Sequence, residues 1–119
     1  MKMAGLLLGL CALAVSSLGA AVSLDVQTPS LMLASGHLIV EATIEPDAAN
    51  RAMRVIAESP DWYRSSEIEL DGDTAPRRST FVFKDLPSGT YEIRAVLLGS
   101  GGEERALVIR KLEVIRHAR

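Results

Sequence analysis

Apolar and polar residues alternate along most of this chain. In HLIVEATIE, residues 37–45, Leu38, Val40, Ala42 and Ile44 fall on one side, and Ile39, Glu41, Thr43 and Glu45 on the other. Successive side chains of a strand point to opposite faces, so the segment predicts a half-buried strand. RAMRVIAES repeats the pattern, with Met53, Val55 and Ala57 inward and Arg54 and Glu58 outward. SSEIELDGD sets Ile68 and Leu70 against Glu67 and Glu69, and STFVFKD sets Phe81 and Phe83 against Val82 and Lys84. TYEIRAVLL sets Tyr91, Ile93, Ala95 and Leu97 against Glu92 and Arg94. VSLDVQT adds Leu24 and Val26, and ALVIRKLEVI reads as a longer last strand, apolar on both faces at its start. Seven strands are therefore expected, over 22–28, 37–45, 52–59, 65–70, 78–84, 90–98 and 105–115.

Turn signals separate these segments: SG at 35–36, PDAAN at 46–50, SPD at 59–61, DGD at 71–73, PSG at 87–89 and GSGG at 99–102. Short strands at this spacing point to an all-β sandwich or barrel. No segment carries a sustained helical period. DAANRAM, residues 47–53, has room for one turn before its strand, with Asp47 as a cap and Asn50 in a left-handed conformation. Pro87-Ser88-Gly89 has turn chemistry: proline presets φ and glycine supplies a positive φ. Leu86 before it and Tyr91 after it are expected to plug one end of the sandwich.

The string LPSGTYEIRA, residues 86–95, resembles the L-P-x-G-x-Y-x-[IV]-x-A segment of exported bacterial immunoglobulin-like, fibronectin type III-like and carboxypeptidase-regulatory-like modules. The likeness covers about ten residues and the strand rhythm around them. It implies a seven-stranded antiparallel immunoglobulin-like sandwich. It also implies that Tyr91 forms a tyrosine corner, its hydroxyl bonded to nearby backbone. The Cys–Trp–Cys core of antibody-type domains is missing, and Trp62 falls beside a turn.

The first residues depart from this pattern. Lys2 is followed by an apolar run from Leu6 to Val15 and then by Ser16, Ser17, Gly19, Ala20 and Ala21. Basic, apolar, then small is the order of a secretory signal peptide. The run has ten residues, whereas a membrane-spanning helix needs about 20. Residues 1–21 are thus expected to be a leader, and residues 22–119 the mature domain, periplasmic or extracellular and with no membrane span. Lipid attachment at Cys11 is disfavoured, because Leu10 precedes it and the apolar run continues beyond it. Cys11 is the one cysteine, so the mature domain has no disulfide, thiol nucleophile or thiolate zinc site and must rely on a packed core. The chain has 13 basic and 15 acidic residues. Without Lys2 the count is 12 against 15, a net charge of about −3, which argues against general nucleic-acid binding.

Candidate chemistry is sparse. Trp62 and Tyr63 stand side by side in SPDWYRSS, with Arg64, Ser65 and Ser66 as a polar rim. Aromatic residues make efficient contact anchors. Neighbours on a strand point opposite ways, so one of the pair is also suited to cover the core while the other lies on the surface. Glu69, Asp71 and Asp73 alternate, but the EF-hand spacing fails and Asp71-Gly72 is a turn signal. His37 and His117 lie near opposite ends of the mature chain, and no nucleophile-elbow, HExxH or phosphate-loop motif is present. The expectation is a non-catalytic interaction or structural module with no cofactor or metal. Its binding residues are Trp62, Tyr63 and Arg64, and its structural residues are Pro87, Gly89 and Tyr91. The expected partner is an envelope or extracellular protein, not nucleic acid. The alternatives are a carbohydrate-binding module that uses Trp62 and Tyr63, and a small secreted hydrolase.

Overall fold

The computed structural model describes residues 22–116. The expected leader, with Lys2 and Cys11, lies outside the described residues, as does His117. Eight strands follow one another: β1 (Leu24–Gln27), β2 (Leu31–Leu33), β3 (Leu38–Ile44), β4 (Ala52–Ser59), β5 (Trp62–Glu69), β6 (Arg78–Phe83), β7 (Gly89–Leu98) and β8 (Glu104–Ile115). They form two sheets, one of order β1-β3-β6 and one of order β2-β8-β7-β4-β5. Apolar residues from both inner faces fill the space between the sheets. Leu38, Val40, Ile44 and Phe81 come from the smaller sheet, and Met53, Val55, Ile93 and Leu112 from the larger.

Seven of the strands sit where alternation placed them, and two features differ. β2 is an added strand, so the described residues hold eight strands instead of seven. Its pairing with β8 is parallel, so the sandwich is not wholly antiparallel. LML is apolar at every position and carries no period of two, which hid it. Pro29, between β1 and β2, has no N–H to give to a ladder, so the chain leaves one sheet there and joins the other. β5 also starts three residues earlier than expected, at Trp62, because Pro60 and Asp61 alone form the hairpin tip. Its middle, Arg64 to Glu67, is exposed on both faces, since β5 packs chiefly on β4. A polar segment of this kind gives no alternation to read.

The turns are also more specific than their composition. Asp71-Gly72 closes no hairpin: it leads through a 3-10 turn, Gly72–Thr74, from the larger sheet to the smaller. Gly72 has φ 60°, and an added Cβ would stand 3.1 Å from the Ala48 carbonyl oxygen. Asp47 caps its turn as expected, its Oδ1 accepting from the Ala49 N–H at 2.8 Å. Asn50 is not left-handed; the non-glycine residues with positive φ are Ser35 and Asp85. Asn50 is instead buried, donating to the Glu45 carbonyl at 3.3 Å and accepting from Arg105 Nε at 3.0 Å.

The connection from β6 to β7 seals one end of the core. Leu86 is fully buried, and its backbone exchanges hydrogen bonds with Ser35 and Gly36 across the end of the sandwich. Tyr91 is buried beside it and donates its hydroxyl to the Pro87 carbonyl at 2.7 Å. This is the bond implied by the tyrosine corner. Gly89 has φ 153°, a value that side-chain-bearing residues rarely adopt.

Burial pushes the Tyr91 phenol above its ordinary value near 10, with a Ser59 hydrogen bond acting in the opposite direction. A raised value in the folded state favours the neutral phenol. Its stabilisation is complete below the unfolded value and is lost as pH rises past about 10. Tyr91→Phe is expected to lower unfolding stability by about 1–2 kcal/mol, through the unpartnered Pro87 carbonyl. It should also flatten the loss of stability above pH 10. Urea unfolding at neutral and alkaline pH measures both effects.

Candidate functional site

β5 is the open edge of the larger sheet. Its hairpin with β4 pairs Ser59 with Trp62, Ala57 with Arg64 and Val55 with Ser66. At the far end the Leu70 N–H donates to the Arg51 carbonyl at 2.9 Å. Hydrogen-bonded pairs alternate along an antiparallel ladder, and a two-residue tip is closed by such a pair. The backbone groups of Trp62, Arg64, Ser66 and Ile68 therefore turn towards β4. Those of Tyr63, Ser65 and Glu67 turn away from it, and no other strand pairs with them.

Alternation also sorts the side chains of the candidate site. Trp62 points inward and is half-buried, its ring meeting Tyr91 edge to face at 5.6 Å and 77°. Arg64, two residues on, returns to the same side and lays its guanidinium 4.9 Å from the centre of the Trp62 ring. Tyr63 points the other way and is 57% exposed. Trp62 and Arg64 are thus brought together, and Trp62 and Tyr63 are not. The indole is flanked by Tyr91 and Arg64, so the two adjacent aromatics form no shared stacking platform.

Arg64, Ser65 and Ser66 line an open groove of about 340 Å³, and Val82, Phe83 and Lys84 line it from the β6 side. β6 is the edge of the smaller sheet, so the groove runs between two strand edges. Arg64 and Lys84 make its lining cationic, in a chain whose overall balance is acidic.

Behind β5, the outer face of the larger sheet carries charges that are paired with one another. Arg94 reaches Glu58 at 3.2 Å and also bonds Glu92, while Arg54 meets Glu67 at 2.8 Å. The Glu92 bond, with Glu58 behind it, pushes the Arg94 guanidinium above its ordinary value against the opposing effect of burial. Sequence reading missed this cross-strand ladder, because its partners are up to 36 residues apart. The signal was the outward charge in TYEIRAVLL and RAMRVIAES, but pairing requires the register.

The remaining candidates stay dispersed. Glu69 ends β5, while the Asp71 carbonyl accepts from the Thr74 N–H and hydroxyl within its own turn. His37 is exposed and accepts from the Asp85 N–H at 3.4 Å through Nδ1. Among the described residues no three His, Cys, Asp or Glu side chains come together as a metal site. Nor is any helix there long and apolar enough to cross a membrane.

No protein-family model and no curated protein sequence matches the chain. Its fold does resemble solved structures. A CARDB domain from Pyrococcus furiosus, solved in complex with di-metal ions, is 12% identical. That likeness has a TM-score of 0.51 and covers 81% of this chain and 94% of that one. A family 76 glycoside hydrolase from a bovine Bacteroides thetaiotaomicron strain is 14% identical, with a TM-score of 0.53. The match covers 75% of this chain but 20% of the hydrolase chain. Both are likenesses of fold alone; they fit a two-sheet, sandwich-like all-β architecture, and that to the CARDB domain adds a resemblance to the immunoglobulin-like fold.

The different environments of the two aromatics separate their mutational effects. Trp62→Ala is expected to cost about 1–3 kcal/mol, because it uncovers Tyr91. Tyr63→Ala should stay within about 0.5 kcal/mol of the wild type. Thermal and urea unfolding of the two variants check this difference.

Proposed function

We propose that this chain is a small exported immunoglobulin-like module that works by binding another envelope or extracellular protein, without catalysis. The observation that carries this reading is the open backbone edge of β5, with free donors and acceptors at Tyr63, Ser65 and Glu67. Exposed strand edges accept an extended peptide by strand addition, the backbone giving affinity and the flanking pockets specificity. Tyr63 on one side of this edge and Arg64 on the other would supply the side-chain contacts. The groove beside Arg64 and Lys84 suits a segment that carries an acidic or carbonyl-rich side. Export rests on the order of residues in the first 21 positions, basic, apolar and then small.

Glycan binding through a Trp62–Tyr63 platform has less support, because the two rings face opposite ways and Trp62 packs against Tyr91. The likeness to part of a glycoside hydrolase concerns the fold and brings no activity with it. The metal ions of the Pyrococcus domain have no matching ligand cluster among the described residues.

The test is a cross-linked pull-down from the envelope or culture medium, with tagged protein as bait. Tyr63→Ala/Arg64→Ala keeps the Trp62–Tyr91 contact and serves as the surface control. Ser65→Pro removes one free edge N–H without touching the pairing to β4. One abundant protein captured by the wild type and lost with either variant is the expected result. Capture that is unchanged by both variants, or no capture alongside retention on a polysaccharide panel, would overturn the reading.

A further inference from the structure

The two lateral sides of this sandwich are built differently. On one side the edge strands are short, with four residues in β1 and three in β2, and the chain crosses between the sheets there at Pro29. Edges of that kind are poor templates for another strand. On the other side the edges are long, with eight residues in β5 and six in β6, and the two strands do not pair with each other. β6 has free backbone groups of its own. The Ile44 N–H donates to the Arg77 carbonyl, just before β6, at 2.8 Å. The backbone groups of Ser79, Phe81 and Phe83 therefore turn towards β3, and those of Arg78, Thr80 and Val82 turn away. The groove of about 340 Å³ lies between these two long edges.

Alternation fixes which side chains a strand added to β5 would meet. Trp62, Arg64, Ser66 and Ile68 face inward, and Tyr63, Ser65, Glu67 and Glu69 face the other way. The residues of an added strand opposite Arg64 and Ser66 therefore also face inward, over the groove. β5 runs into β6 through residues 70–77, so the two strands run in opposite directions along the groove. Arg64 thus lies towards Lys84, and Ser66 towards Val82. Among the described residues neither Arg64 nor Lys84 joins an ion pair. No carboxylate is in the lining. Glu67 is bonded to Arg54, while Asp61 and Asp85 neighbour the lining in sequence without being part of it. Charges further off across water are screened, so an anion in the groove responds first to its two lining cations. Val82 and Phe83 make the other part of the lining apolar.

We infer that this groove selects an extended peptide which adds to the β5 edge, sets a carboxylate between Arg64 and Lys84, and sets an apolar side chain two residues away over Val82 and Phe83. The inference rests on the reading of β5 as a docking edge and names the partner segment that the edge takes. The probes are fluorescein-labelled peptides of about ten residues. Threonine and valine alternate in them, and one central valine is replaced by glutamate, glutamine or lysine. At low ionic strength the wild type should bind the glutamate peptide about tenfold more tightly than the glutamine peptide, as fluorescence anisotropy reads it. Added salt should narrow that ratio. Serine in place of the valine two residues from the glutamate should weaken binding several-fold. Arg64→Gln/Lys84→Gln should bring the glutamate-to-glutamine ratio to about one. Arg64→Glu/Lys84→Glu should invert the preference in favour of the lysine peptide, with an unchanged circular dichroism spectrum. Equal affinity of the wild type for the three peptides would overturn the inference, as would a preference that survives Arg64→Gln/Lys84→Gln. Equal affinities that are lost with Ser65→Pro would overturn the charge selection and leave the docking edge standing. Binding of none of the peptides would also overturn the inference, and the pull-down then decides the edge reading separately.

Discussion

The Tyr91 hydroxyl bond to the Pro87 carbonyl is the contact on which this architecture turns. It ties the start of β7 to the connection that precedes it, at the end where the two sheets meet. Leu86 is thereby held in the core, and its backbone bonds join that connection to the turn before β3. The Tyr91 ring in turn offers its face or edge to Trp62, the first residue of β5. One buried phenol therefore links the seal of the core to the start of the open edge. A phenol suits the position because its ring can be buried while its oxygen reaches a backbone partner.

From that anchor the exposed surfaces follow from strand geometry. β5 stands last in the order of the larger sheet, so it is left without a second neighbour. Its inner-facing Arg64 stacks on Trp62 instead of entering the core, and its outward Tyr63 stays in solvent. The domain protects this edge only partly. Arg64, Glu67 and Glu69 put charge on both sides of it, which hinders indiscriminate pairing while leaving the backbone available to a matched segment. The outer face of the larger sheet is handled differently. There Arg54 pairs with Glu67 and Arg94 with Glu58 across strands, and most of the exposed apolar side chains lie on β8 and β2.

Most of the fold was legible in the sequence because burial follows alternation. Leu38, Val40, Ala42, Ile44, Tyr91, Ile93, Ala95 and Leu97 are all buried, as their spacing predicts. What escaped did so for physical reasons. Leu31–Leu33 has no alternation, since both of its faces are apolar, and its parallel pairing depends on a sheet switch at Pro29. Arg64 to Glu67 is polar on both sides, so the start of β5 looked like a turn. Asn50 is buried through Arg105, which is 55 residues away, and nothing local announces that bond. The candidate residues Trp62, Tyr63 and Arg64 were legible as a group, but their division between two faces depended on where the strand begins. Pro87 and Tyr91 could be assigned from the hairpin string alone, because the bond between them is local.

β5 is paired on one side and open on the other. Residue-resolved amide hydrogen exchange measures this directly. Slow exchange is expected at Arg64, Ser66 and Ile68 and fast exchange at Tyr63, Ser65 and Glu67, against uniformly slow exchange in the centre of β7. Equal protection of all six β5 amides would mean that the edge is covered. Equal and rapid exchange of all six would mean that β5 is not held to β4; either result rules out a strand paired on one side and open on the other.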